Sequence, residues 1–340
     1  MSEATVVFMA EVSDKVRGVA HDLLPARWRM VVVPTGATET EAARFVGQAQ
    51  YFLGFIEKPM GPAFYEAVER MRLVQLLSAG YDKVDLGRLR RCRVPMATNG
   101  GANAVAVAEH TIMLILAVLR RLRELDARTR AGEWRPSGPE GEIYELDGKT
   151  VGLIGLGMIG RHVAARLRPF GARVWYYDVH RLPADDEHAL EVTYVALDEL
   201  LHAADVVSLH VPLSAATRQL INRERLGAMK EGAVLVNTCR GEVVDEDALC
   251  DVLRGGRLLG AGLDTFAVEP PDKSNALFTL SNVIVTPHIA GPTWDSWRKR
   301  FVNGYANIVR VIEGKRPLWV VPELREIVPW WHNPTDEPAV

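Results

Sequence analysis

Apolar residues in the first part of the chain fall in short runs rich in β-branched and aromatic side chains, at positions 6–9, 30–33, 51–54, 73–77 and 96–97. Runs of that length, bounded by Gly, Pro and Asn, read as strands. The segment 60–70 between two of them has helical spacing. The pattern predicts an α/β unit of five short strands. The turn Ser78-Ala79-Gly80-Tyr81-Asp82 follows the fourth run directly, where a ligand could sit.

Positions 104–125 carry apolar residues at helical spacing, behind Asn103 as a candidate N-cap and ahead of a basic turn with Arg120, Arg121 and Arg123. The stretch 131–148 breaks regularity with Gly132, Pro136, Gly138, Pro139 and Gly141, which predicts a connecting loop. Beyond it, strands at 151–154, 173–177, 206–210, 233–237, 259–263 and 283–286 alternate with helices that begin at Met158 and span 223–229 and 246–255. Strands alternating with helices predict a parallel, doubly wound sheet. A last helix near 293–314 precedes a tail rich in Pro and Trp, with Trp330, Trp331 and His332 in sequence.

Composition narrows the function classes. A length of 340 residues exceeds the roughly 250 to 300 at which single cores stop growing and predicts two domains. With 48% hydrophobic and 24% charged residues and a net charge of −3, the chain reads as an ordinary globular protein with no pull toward nucleic acid or a membrane surface, which favours a small-molecule substrate. Cys92, Cys239 and Cys250 are too few and too scattered for a disulfide framework or a metal site. The N-terminus has no basic segment ahead of an apolar run, so the expected location is cytoplasmic. The apolar stretch 111–119 falls far short of the roughly 20 residues that cross a bilayer.

Gly155-Leu156-Gly157-Met158-Ile159-Gly160 is a G-x-G-x-x-G element between a predicted strand and a predicted helix. Gly155 permits the tight turn, Gly157 lets backbone approach a pyrophosphate and Gly160 allows close helix-to-strand packing, while the helix that Met158 and Ile159 open faces the phosphates. Asp178 lies 18 residues past Gly160, at the end of the next strand. A carboxylate there accepts from both ribose hydroxyls and repels a 2′-phosphate, so NAD is the expected cofactor. Arg181, just beyond, could meet such a phosphate. The alternative is a strand-to-helix turn without a ligand, and the flanking elements and spaced acid weigh against it.

Three later segments bring reactive groups to the ends of successive strands, where open α/β sheets bind ligands. They run from Val236 through Thr238 and Arg240 to Gly241, from Asp264 through Glu269 to Pro270, and from Thr286 through His288 to Gly291. Hydride transfer to a 2-oxo acid needs a cation to grip the carboxylate and polarise the carbonyl, an acid to protonate the alkoxide, and a carboxylate to orient that acid. Arg240, His288 and Glu269 meet these needs. Singly, each has a plainer reading: a surface ion pair, a loop histidine and a cap. An anion at Glu269 would fix the His288 tautomer and stabilise its charged form.

From the Ser78–Asp82 turn to Pro287-His288 the sequence resembles the D-isomer-specific 2-hydroxyacid dehydrogenases over nearly its whole length. The resemblance implies two Rossmann-like doubly wound parallel-sheet domains, with an NAD-binding domain (103–288) inserted into a split substrate domain (1–102 with 289–320) and a tail (321–340). It implies that Arg240 binds substrate carboxylate and carbonyl, that Glu269 pairs with His288, and that His288 transfers the proton. It further implies that Asp264 holds the nicotinamide carboxamide and that the backbone amides of Ser78, Ala79 and Gly80 hold the substrate carboxylate. The expected reaction moves a hydride between NADH and C2 of a small 2-oxo acid to give a D-2-hydroxy acid, or the reverse, in a homodimer. Two alternatives stand beside it: an NAD(H)-sensing protein akin to corepressors, and a reductase of an unusual acid such as a phosphono- or aryl-pyruvate.

Several residues keep two readings. His110 is read chiefly as a core or interdomain histidine, with substrate contact as the lesser option. His210, at a strand end, is equally a cofactor contact or structural, and Trp294 and Trp297 either wall the substrate pocket or pack the core. Ser78 stands where phosphite-oxidising relatives carry lysine, and Glu269 where formate dehydrogenases carry glutamine, although Asn103 is shared with the latter. The tail from Trp319 is read as lying over the partner subunit or the cleft, or as a free extension.

Overall fold

The structure is a computed structural model that describes residues 3–134 and 143–327. The chain divides into two units, Met1–Asn103 with Pro292–Val340, and Ala104–Gly291.

In the first unit β1 (Ala4–Met9), β2 (Trp28–Val32), β3 (Tyr51–Gly54), β4 (Leu73–Leu76) and β5 (Met96–Ala97) form a parallel sheet in the order β2-β1-β3-β4-β5. Successive residues point to opposite faces of a strand. Val7, Phe52 and Val74 therefore enter a core with Phe64, Tyr65 and Leu89, while Phe8, Leu53 and Leu73 enter another with Trp297, Phe301 and Tyr305. Both faces are covered, as a parallel sheet requires. The covering helices are α1 (Asp14–Asp22), α2 (Glu39–Val46), α3 (Pro62–Val68) and α4 (Leu86–Cys92), and the chain's last helix, Trp294–Ile312. Ser13 caps α1, and Thr38 with Glu41 forms a capping box on α2.

Residues 319–327 belong to this unit. Val320 bridges Ala97 in antiparallel sense, and Val320, Val321 and Leu324 are buried in the core of the first face. The tail expected from 321 onward thus starts with core residues, because Val321 and Leu324 flank its first proline. Trp330, Trp331 and His332 lie outside the described residues.

The second unit opens with α5 (Ala104–Leu119) and α6 (Leu122–Arg130). The single helix expected over 104–125 is broken at Arg121, whose φ of 49° is left-handed. The break falls where the apolar run ends, so nothing buried rewards continuing the same axis. Seven parallel strands follow in the order β12-β11-β10-β9-β6-β7-β8. They are β6 (Thr150–Ile154), β7 (Arg173–Tyr177), β8 (Val192–Tyr194), β9 (Val206–Leu209), β10 (Val234–Asn237), β11 (Gly260–Leu263) and β12 (Val283–Val285). The helices α7 (Met158–Leu167), α8 (Ala184–Leu190), α9 (Leu197–Ala203), α10 (Arg223–Ala228) and α11 (Glu246–Arg254) connect them. The chain runs from β6 out to β7 and β8 and returns to β9 on the other side of β6. Connections thus diverge between β6 and β9, the switch point at which such sheets bind ligands. Among the described residues no helix is long and apolar enough to cross a membrane.

Candidate active site

The switch point is built from glycines. Gly155 follows β6 with φ 96°, and a Cβ there would stand 2.7 Å from the His210 carbonyl oxygen. A Cβ on Gly160 would stand 2.4 Å from the Gly155 oxygen. Only glycine fits either position. Gly157 differs: a Cβ there would meet nothing within 4 Å, and Gly157 precedes α7 without any side-chain cap. The first-turn amides of α7 and the open space over Gly157 are what a pyrophosphate needs, so the residues fit a dinucleotide.

Asp178 is fixed at the same turn. Its Oδ2 accepts from Leu156 N at 2.8 Å and its Oδ1 from His180 N at 3.0 Å, so each oxygen keeps a lone pair for a ribose hydroxyl. Arg181 forks onto Glu187 at 2.9 and 3.0 Å and lies over the Tyr194 ring. Its guanidinium is committed to those groups. His210 turns its Nε2 to Ser208 Oγ at 2.9 Å, and burial pushes its imidazole down to about 4, leaving it neutral near pH 7. Thr111 Oγ1 donates to the Val107 carbonyl and lies 3.0 Å from Thr238 Oγ1, so Thr238 donates and is tied to α5.

Arg240 follows β10 on a loop shaped by Asn237, whose Oδ1 accepts from Cys239 N at 3.0 Å and whose Nδ2 donates to the Arg240 carbonyl at 2.8 Å. The next residue, Gly241, packs so closely that a Cβ would stand 1.8 Å from the Phe266 carbonyl carbon. Glu246 holds the facing loop through Ala267 N at 2.9 Å and Asn275 Nδ2 at 2.6 Å. Asn237, Gly241 and Glu246 are supporting residues that the sequence reading did not single out. The only hint was a glycine directly after the arginine.

His288 follows β12 with φ 52°, a left-handed conformation that costs a non-glycine residue about 1 kcal/mol or more. The buried Asp264 holds it there. The Asp264 carbonyl accepts from His288 N at 2.8 Å, and its carboxylate accepts from Thr286 Oγ1, Ile289 N and Ala290 N at 2.6, 2.9 and 3.0 Å. Because Thr286 donates to Asp264, it accepts from His110 Nε2 at 2.9 Å. His110 therefore braces the loop.

Held in this way, His288 presents Nδ1 to Glu269 Oε2 at 2.7 Å, while Glu269 Oε1 accepts from Phe266 N at 3.0 Å. Burial alone would raise the Glu269 carboxyl. The hydrogen bond and charge of His288, the Phe266 amide and the charge of Arg240 together outweigh it and hold the group below its ordinary value. Glu269 is thus an anion near neutral pH, so Nδ1 of His288 carries a proton and Nε2 is the nitrogen left for a further partner. Glu269 and His288 are thus paired in this unit, with Arg240 near enough to act on Glu269 through its charge.

In the first unit the residues 78–80 leave β4 with their amide N–H groups donating to no acceptor among the described residues, while Ser78 Oγ donates to the Gly80 carbonyl at 2.7 Å. Trp297 is buried against Phe55 and Phe301, a core residue, whereas Trp294 is half-exposed beneath Lys15.

Comparison with known proteins decides among the readings. The family model for the D-isomer specific 2-hydroxyacid dehydrogenase NAD binding domain matches residues 112–290. A glyoxylate reductase of Thermofilum pendens is 38% identical over 74% of this chain and 75% of its own. A hydroxypyruvate reductase of Thermotoga maritima is 34% identical over 86% and 94%. The chain belongs to the D-isomer specific 2-hydroxyacid dehydrogenase family. A member from Lactobacillus delbrueckii solved as its NAD complex superposes with a TM-score of 0.80 at 27% identity, covering 93% of this chain and all of that one. The family member described here is accordingly an NAD-dependent oxidoreductase that interconverts 2-oxo acids and D-2-hydroxy acids, a finding that favours neither the sensor nor the reductase of unusual acids.

Proposed function

We propose that this dehydrogenase reduces small, unbranched 2-oxo acids of the glyoxylate and hydroxypyruvate type, with His288 as proton donor. The observation that carries the reading is the 2.7 Å pair between Glu269 and His288 beside Arg240. The Arg240 guanidinium grips the carboxylate and draws electron density onto the carbonyl oxygen. When bound, NADH supplies the hydride that C2 receives. As the carbonyl oxygen becomes an alkoxide it takes the proton from His288 Nε2, and Glu269 stabilises the imidazolium before that transfer and keeps the ring oriented. The amides of Ser78, Ala79 and Gly80 are assigned to the substrate carboxylate, and Gly155, Gly157, Met158, Ile159, Gly160, Asp178, His210, Thr238 and Asp264 to the cofactor side. The similarity to a glyoxylate reductase and a hydroxypyruvate reductase supports the substrate class. Oxidation of NADH across a series from glyoxylate and hydroxypyruvate to phenylpyruvate tests it: preference for the small acids is expected, and preference for the aryl acid would overturn it.

The same reading makes the protein a cytoplasmic homodimer. Exposed Met113, Leu122, Trp134 and Phe170 supply apolar surface for a partner, and Cys92, Cys239 and Cys250 are free thiols. Sedimentation analysis should give twice the chain mass, and a monomer at micromolar concentration would contradict it.

A further inference from the structure

Arg300, on the last helix, is only 3% exposed and has no acidic partner among the described residues. Its guanidinium lies over the rings of Trp297 and Phe55, at 5.1 and 5.9 Å, and its Nε has no acceptor. Burial pushes the group down to about 10, so it remains a cation at neutral pH. A buried charge without a counter-ion is costly and is retained where something else meets it.

The carbonyl to which Arg300 donates points to what that is. Nη1 donates to the carbonyl of Leu77, which also accepts from Asn99 Nδ2 at 3.4 Å. Leu77 precedes Ser78, and the peptide between them is trans, so the Ser78 N–H points away from the Leu77 carbonyl. Two donors on one side of this peptide thus aim its N–H out of the other side, and a cation on the oxygen makes that N–H a stronger donor. The Ser78 carbonyl is tied in turn by Asn99 N at 3.0 Å.

We propose that Arg300 is the positioning residue for the substrate carboxylate: acting through the Leu77–Ser78 peptide, it orients and polarises the Ser78 amide and supplies the buried positive charge that the anion neutralises. This rests on the reading that the amides of Ser78, Ala79 and Gly80 grip that carboxylate. It makes the turn selective for an acid over a neutral carbonyl compound.

The test measures glyoxylate KM and kcat, NADH Kd and melting temperature for the full-length protein and its variants. Arg300→Met fills the space without charge and leaves no carboxylate orphaned. It should raise KM about tenfold or more, the scale of a charge-assisted contact, while NADH Kd and melting hold and Arg300→Lys recovers part of the loss. Ser78→Pro removes the N–H itself and should raise KM as much. A normal KM in Arg300→Met beside a raised one in Ser78→Pro would overturn the role of Arg300 and leave the turn's role standing. A normal KM in both would overturn the reading of the turn and this inference with it. If Arg300→Met does not fold, Arg300→Gln, which keeps a donor for Leu77 but no charge, decides by the same change in KM.

Discussion

Replacing Gly157 with alanine separates the demands of the fold from those of the cofactor. Gly157 has φ −71° and ψ −163°, extended backbone that alanine adopts without strain, and the added methyl meets nothing within 4 Å. Alanine is a poorer residue than glycine ahead of a helix, by about 0.5–1 kcal/mol. It also stiffens the unfolded chain, which returns about 0.4–1 kcal/mol. The two nearly cancel, so melting should move by no more than about 2–4 °C. If a pyrophosphate lies over Gly157, the methyl overpacks that contact by about 1–3 kcal/mol, which weakens NADH about five- to 150-fold. Gly160→Ala is the control, since its methyl would sit 2.4 Å from the Gly155 oxygen and should lower melting as well. Titration of NADH fluorescence and thermal melting read the two effects separately. A Gly157→Ala protein with normal melting and normal NADH affinity would refute the placement of the cofactor.

Gly241→Ala drives a methyl into the Phe266 carbonyl carbon 1.8 Å away, so thermal melting should show a loss of about 1–3 kcal/mol, and steady-state assays a fall in kcat as Arg240 shifts. Asp178→Ala removes the carboxylate that repels a 2′-phosphate, and the ratio of NADH to NADPH efficiency should fall by about tenfold or more. His210 titrates near 4 when folded against 6.5 ordinarily; between those values the unfolded chain holds the extra proton, so acidification removes up to about 3 kcal/mol of stability. Melting curves from neutral pH to about pH 5 should therefore fall more steeply for the native protein than for His210→Gln. Glu269, held below 4.5, stays ionised through most of that range, and its contribution is lost only as pH falls further.

The central strands β3, β4, β6, β9, β10 and β11 were legible because every residue in them is buried and reads as a short apolar run, and β3 and β7 coincide with the expected runs at 51–54 and 173–177. The segment from α8 through β8 to α9 was not, since a three-residue strand between two seven-residue helices is too short to display a period. The placement of the candidate site was legible for a related reason. Arg240, Glu269 and His288 each lie just beyond an apolar strand, so the topology announces where they meet. Their supports left no such trace. Asn237, Glu246, Thr286 and Asp264 act by hydrogen bonds from side chains to backbone or to one another, and the need for Gly241 depends on a Phe266 backbone distant in sequence.

In the proposed mechanism His288 delivers the proton while other groups hold the cofactor. This is tested most directly by comparing native protein and His288→Ala in NADH oxidation with hydroxypyruvate and glyoxylate, alongside NADH binding. In His288→Ala, kcat should fall about 10²- to 10⁴-fold with NADH affinity nearly unchanged. Turnover near the native rate in His288→Ala would contradict it.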